Sequence, residues 1–131
     1  MPRILIIDDE RGIRSLLLKA FTRAGYEVRT AAHAREAMEL CLSEQFDALI
    51  SDVRMPGMDG HELVRWVARK YPEIRCILMT GFDDIDCHDC PYVSRCLYLG
   101  KPFGPTAVVA AVEAVLREKP PAIRADGTSS G

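Results

Sequence analysis

The sequence predicts a doubly wound α/β fold, a parallel β-sheet sandwiched between two layers of helices, and three observations carry that expectation. Short, continuous, β-branched runs such as Ile4-Leu5-Ile6-Ile7 lack the polar alternation of a half-exposed strand and so require cover on both faces. Each is followed, with one exception described below, by a stretch whose apolar residues recur at helical spacing, the alternation that builds strand-helix-strand units. The chain has 131 residues, 48% hydrophobic and 27% charged, which suits one domain burying about two thirds of its surface.

The first strand, Ile4 to Ile7, leads into a helix over Arg11 to Ala24 in which Ile13, Leu16, Leu17, Ala20 and Phe21 share a face and Gly25 ends the helix. The second, Tyr26 to Thr30, precedes the helical set Ala34, Ala37, Met38 and Cys41. The third, Ala48 to Ile50, precedes Leu63, Val64 and Val67. A fourth strand runs from Ile74 to Met79, and a fifth, Cys96 to Leu99, precedes Val108, Val112 and Val115. Five strands and four clear helices result. The folded domain is expected over residues 1–119, because Pro120-Pro121 stops the last helix. Residues 120–131, ending Gly127-Thr128-Ser129-Ser130-Gly131, have no apolar face to pack and read as a flexible tail or linker stump.

Composition excludes several classes of function. With 17 Lys+Arg against 19 Asp+Glu, a formal net charge of -2, the chain lacks the basic stripe of a nucleic-acid or anionic-membrane binder, so neither direct nucleic-acid nor membrane contact is expected. The longest uninterrupted apolar run is Ala107 to Val112, and Asp8 cuts the opening run, so no membrane span or signal peptide is read and a cytoplasmic location is expected. Five cysteines, an odd number without an export signal, argue for thiols or a metal rather than a disulfide framework. His33 and His61 begin helices and are expected at the surface, whereas Cys41 reads as a packing residue and Trp66 as a packing or surface residue rather than a ligand contact.

In such folds the loops at the carboxyl ends of the strands build the site. Those positions hold Asp8, Asp9 and Glu10 after the first strand, Asp52 after the third, Thr80 after the fourth and Lys101 after the fifth. Singly, an Asp after a strand is a helix cap or turn former, Thr80-Gly81 a loop and Lys101-Pro102 an exposed turn. Jointly they bring carboxylates, a hydroxyl and an ammonium to one edge. Crowded carboxylates repel unless a cation neutralises them, which implies a hard divalent ion such as Mg2+. One ionised carboxylate could then act as nucleophile towards a phosphoryl group, giving an acyl phosphate, with hydroxyl and ammonium donating to the phosphoryl oxygens.

These residues resemble the receiver domain of two-component response regulators, the family that includes single-domain chemotaxis regulators. The stretches that match are Ile4-Leu5-Ile6-Ile7-Asp8-Asp9-Glu10, Asp52-Val53-Arg54-Met55-Pro56-Gly57-Met58-Asp59-Gly60, Thr80-Gly81 and Lys101-Pro102-Phe103, and the likeness spans about Pro2 to Lys119. The resemblance implies a five-stranded parallel sheet in the flavodoxin-like order 2-1-3-4-5. It implies Asp52 as phosphoacceptor, and Asp9, Asp52 and the backbone carbonyl of Arg54 as Mg2+ ligands, with Asp8 acting through water. Thr80 and Tyr98 would rearrange on phosphorylation, and Lys101 would bind phosphoryl oxygens. Arg54 and Phe82, two residues beyond Asp52 and Thr80, would restrict attacking water and slow self-dephosphorylation. The implied partners are a histidine kinase or phosphotransfer protein and a downstream protein or fused output domain, and homodimerisation stays open. Such a module promotes its own phosphorylation and dephosphorylation but turns over no external substrate.

The departure from the family pattern lies between Thr80 and Lys101, where Pro91 and four aspartates within Asp83 to Asp89 predict a diverged or shortened fourth helix. Cys87-x-x-Cys90 with Cys96 leaves three readings open: ordinary thiols in a diverged loop, ligands of a Zn2+ or iron-sulfur site, or a thiol redox switch. Ordinary thiols are preferred, because no fourth ligand is evident. The competing function is a phosphorylation-independent interaction or metal/redox sensor module built on that loop, against which the complete acidic set argues.

Overall fold

The computed structural model describes residues 2–53, 57–80, 96–100, 104–117, 122–123 and 129–130, with residues 80, 96–100, 122–123 and 129–130 described by their backbone. Strands β1 (Arg3–Ile7), β2 (Glu27–Ala31), β3 (Ala48–Asp52), β4 (Arg75–Thr80) and β5 (Cys96–Gly100) form one sheet in the order β2-β1-β3-β4-β5. All four pairings are parallel. Helices α1 (Arg11–Arg23), α2 (Ala34–Ser43) and α3 (Gly60–Lys70) supply the crossovers from β1 to β4, α4 (Pro105–Arg117) follows β5, and the strand order that the resemblance implies is the one observed. The segment in which the diverged helix was expected lies outside the described residues. Towards the carboxyl terminus, β6 (Ala122–Ile123) pairs antiparallel with β7 (Ser129–Ser130).

The period of two along each central strand divides the core between the helical layers. Leu5, Ile7, Leu49, Cys76 and Leu78 face α2 and α3, meeting Ala34, Ala37, Cys41, Leu63, Val64 and Val67. Ile4, Ile6, Ala48, Ile50, Ile77 and Met79 face the other way, onto Leu17 and Phe21 of α1 and Val108 and Val112 of α4. The inner strands β1 and β3 are therefore apolar on both sides. The edge strand β2 alternates exposed with covered positions. At one pairing per strand residue, β1 meets both β2 and β3 in register, Ile7 lying beside Ala31 and Ser51. That register brings the carboxyl ends of the strands to one edge.

Local sequence sets the element ends. Helix α1 closes in a Schellman motif around Gly25 at φ 97°: Gly25 N–H donates to Thr22 O at 3.1 Å and Tyr26 N–H to Phe21 O at 3.0 Å. The two aromatic rings joined by the second bond meet edge to face at 5.6 Å. Because Tyr26 is used there, β2 starts at Glu27, one residue later than the hydrophobic pattern suggests. Asp59 caps α3 by accepting from Glu62 N–H at 2.9 Å. His33 caps α2 through Nδ1, while the Glu36 carboxylate accepts from Ala32 N–H at 2.9 Å.

Three side chains refine the sequence reading. Leu16, expected on the packing face of α1, is 42% exposed, because Leu17 and Phe21 take the centre of the narrow contact with the sheet. His61 is half-buried rather than exposed, since α3 begins pressed against the end of β3. Trp66 packs edge to face on Tyr71 at 5.9 Å, with Lys70 Nζ 5.8 Å from its ring centroid. Among the described residues no helix is long and apolar enough to cross a membrane.

Candidate metal and phosphoryl site

Asp8 follows β1 directly, and Asp52 is the last residue of β3, so the β1–β3 pairing puts both at the same sheet edge. With Asp9 they form a group in which one carboxylate oxygen from each residue lies within 4.8 Å of the others. Asp8 is fully buried, Asp52 is 6% exposed and Asp9 is exposed, so the group is a recess open on one side. Its donors are all carboxylate oxygens. Hard ligands of this kind fit Mg2+, and a cation there would offset the mutual repulsion of three close carboxylates.

Backbone contacts make the recess. Asp8 N–H donates to Ala31 O at 3.2 Å, and Asp8 Oδ1 accepts from Glu10 N–H at 2.8 Å, the closure of an Asx turn into α1. Arg14 Nη1 donates to the Asp8 carbonyl at 2.7 Å. On the β3 side, Val53 N–H donates to Met79 O at 3.0 Å and Gly60 N–H to Val53 O at 2.8 Å, bringing the start of α3 back onto the end of β3. The buried Ser51 hydroxyl donates to the Asp52 carbonyl at 2.9 Å. A Cβ on Gly60 would fall on that same carbonyl oxygen and stand 2.9 Å from Val53 Cα. The position admits no side chain without backbone movement.

Thr80 ends β4 beside Gly100, the last residue of β5, and one step beyond the Met79–Asp52 pairing. It therefore belongs to the carboxylate edge, as expected. Tyr98 lies opposite Leu78 on β5. Lys101, Arg54, Phe82, Cys87 and Cys90 lie outside the described residues. Cys96 opens β5 opposite Cys76, about 13 Å along the strand from the Thr80–Gly100 step. Among the described residues, the group close enough to hold an ion contains carboxylates and no thiol.

The roles of Arg14, Ser51 and Gly60 were not anticipated. Ser51, through its hydroxyl on the Asp52 carbonyl, and Gly60, through its close approach to the same group, make contacts that no spacing rule reveals. Arg14 stands six residues beyond Asp8, where a side chain leaning back along α1 can reach the strand end; that spacing was the available signal.

Comparison with known proteins gives one answer. Residues 4–113 match the family model of the response regulator receiver domain. The DNA-binding transcriptional regulator NtrC of Proteus hauseri is 37% identical over 111 residues, 84% of this chain but 24% of its own length, so the chain spans about a quarter of such relatives. Sporulation initiation phosphotransferase F of Bacillus subtilis is 32% identical over 115 residues, 87% of this chain and 93% of that protein. The fold is shared with the chemotaxis protein CheY4 of Vibrio cholerae, at TM-score 0.78 and 31% identity over 88% of this chain and 98% of that one. It is also shared with the response regulator TrrA of Thermotoga maritima in complex with Mg2+ and BeF, at TM-score 0.77 and 31% identity over 88% and 99%. With the strand order, the acidic edge and the family match in agreement, the chain belongs to the response regulator receiver domains, the phosphoryl-accepting signalling modules of two-component systems.

Proposed function

We propose that Asp52 is the phosphoacceptor, that Asp8, Asp9 and Asp52 with the Arg54 carbonyl hold Mg2+, and that Thr80, Tyr98 and Lys101 convert phosphorylation into a change in partner affinity. The observation that carries this reading is the gathering of the Asp8, Asp9 and Asp52 carboxylates within 4.8 Å at the carboxyl edge of the sheet. Bound Mg2+ supplies charge neutralisation for the phosphoryl oxygens. The rest is work for the chain's own groups. One oxygen of ionised Asp52 forms the O–P bond as the P–N bond of a phosphohistidine breaks; the departing imidazole nitrogen keeps the electron pair and takes up a proton. The aspartyl phosphate carries nearly two negative charges where the ionised carboxylate carried one, a gain of about one, and it places new acceptor oxygens at the ends of β3 and β4. Hydrogen bonds from the Thr80 hydroxyl and the Lys101 ammonium to those oxygens favour one of two loop arrangements, and Tyr98 follows Thr80 inward.

In this reading the donor is a histidine kinase or phosphotransfer protein in the cytoplasm, and the recipient of the signal is a downstream protein or an attached output domain. Both kinds of context occur among the relatives, since the chain matches a quarter of NtrC but nearly all of the sporulation phosphotransferase. The module promotes its own phosphorylation and dephosphorylation and turns over no external substrate. Native mass spectrometry after incubation with Mg2+ and acetyl phosphate tests the assignment. The expected result is a single phosphoryl adduct that is absent from Asp52→Asn and from samples held in EDTA. An adduct of equal yield in Asp52→Asn would move the acceptor elsewhere.

A further inference from the structure

Asp8 is held at three separate atoms. Its N–H is bonded to Ala31, its Oδ1 to the Glu10 amide, and its carbonyl oxygen to the Arg14 guanidinium at 2.7 Å. The first two contacts fix the strand end and the Asp8 carboxylate. The third fixes the peptide that joins Asp8 to Asp9. A peptide is planar, so the direction of the Asp8 carbonyl sets the direction of the Asp9 N–H and the path to the Asp9 Cα. Asp9 is the exposed member of the acidic group, and its orientation depends on that backbone more than on packing.

We propose that Arg14 is a positioning residue for the metal site: it locks the Asp8–Asp9 peptide so that the Asp9 carboxylate converges with those of Asp8 and Asp52. The inference rests on the reading of these three aspartates as the Mg2+ site. Arg14 suits the task because it lies one turn into α1, its own N–H bonded to Glu10 O at 3.1 Å, and because helical side chains lean towards the helix amino end. It is half-buried, and its planar donor fork loses less freedom per hydrogen bond than an ammonium would.

The charge of Arg14 and its hydrogen bond act on a bound cation with opposite signs. As a charge, the guanidinium repels Mg2+, so its removal would tighten binding by about two- to tenfold. As a positioner it assembles the ligands, and loss of such a supporting hydrogen bond weakens metal affinity by about tenfold or more. The test is a titration of the full chain with MgCl2, followed by 1H–15N NMR, for wild type, Arg14→Met, Arg14→Lys and Asp9→Asn. Arg14→Met is expected to bind Mg2+ about tenfold more weakly, and Arg14→Lys, which keeps the charge without the fork, several-fold more weakly. Unchanged or tighter binding in Arg14→Met overturns the proposal, as does a fall in Tm without loss of affinity. If Arg14→Met does not fold, the Arg14→Lys affinity decides alone, and a wild-type value there overturns the proposal. Asp9→Asn separates the two levels of inference. Weaker binding in Asp9→Asn with wild-type binding in the Arg14 variants refutes only the role of Arg14, whereas wild-type binding in Asp9→Asn refutes the acidic site itself.

Discussion

Adding a methyl group at Gly60 and at Gly12 should move stability in opposite directions. At position 60 the new Cβ would overlap the Asp52 carbonyl oxygen and lie 2.9 Å from Val53 Cα and 3.1 Å from the Asp52 carbonyl carbon. All three are main-chain atoms in a junction already tied by the Gly60-to-Val53 hydrogen bond of 2.8 Å. No side chain can rotate away, so the backbone must move, and overpacking of this kind costs about 1–3 kcal/mol. Helix propensity offsets at most about 1 kcal/mol, and less at the first helical residue. Gly60→Ala should therefore be less stable by roughly 1–2 kcal/mol. Gly12 sits near the start of α1 with nothing within 4 Å of its would-be Cβ and without a positive φ. There the smaller unfolded-state entropy of alanine should stabilise by about 0.4–1 kcal/mol. Urea unfolding reads both: with m of about 1.5 kcal/mol/M, the midpoint falls by about 1 M for Gly60→Ala and rises by about 0.5 M for Gly12→Ala. A Gly60→Ala midpoint at or above wild type would refute the close approach of α3 to the end of β3. Because the same junction carries Asp52, the proposed phosphoacceptor, the destabilised variant should also accept phosphoryl groups more slowly.

Two further outcomes follow from individual groups. Burial pushes the Cys41 thiol up to about 11 from its ordinary value of 9.0. The folded chain thus keeps a proton that the unfolded chain loses, so stability is full below about pH 9 and falls as pH rises towards 11, by no more than about 3 kcal/mol. Urea midpoints at pH 8 and pH 10.5 should differ less for Cys41→Ala than for wild type, and an unchanged difference would exclude Cys41 as the source. Glu44 pairs with Arg3 at 3.5 Å and with Arg29 at 3.2 Å near the surface. Glu44→Gln should cost about 1 kcal/mol or less, with the loss shrinking in 1 M NaCl, as thermal melts at two salt concentrations would show.

The sequence by itself determined the alternation of strands and helices, the need for two helical layers and the residues at the strand ends. Each of these follows from local chemistry. An unbroken apolar run such as Ile4 to Ile7 has no polar face to leave in water, and Gly25 can end α1 because it accepts the positive φ that the Schellman turn requires. The sequence also named the acidic set Asp8, Asp9 and Asp52, since strand termini of an α/β sheet are where a site forms.

Tertiary structure decided how those carboxylates meet and what holds them. Convergence within 4.8 Å depends on the β1–β3 register, in which Ile7 lies beside Ser51, and register is a pairing between segments over forty residues apart. The partners of the supporting residues could not be read from the sequence for the same reason, although the spacing of Arg14 from Asp8 was a signal. Arg14 on the Asp8 carbonyl and Gly60 on the Asp52 carbonyl are contacts between a helix and a strand end, set by the angle at which each helix leaves the sheet. Strand boundaries moved as well, because Tyr26 spends its N–H on the α1 cap before β2 can begin. Periodicity specifies which face a residue takes; only the packed chain specifies which backbone group it finds there.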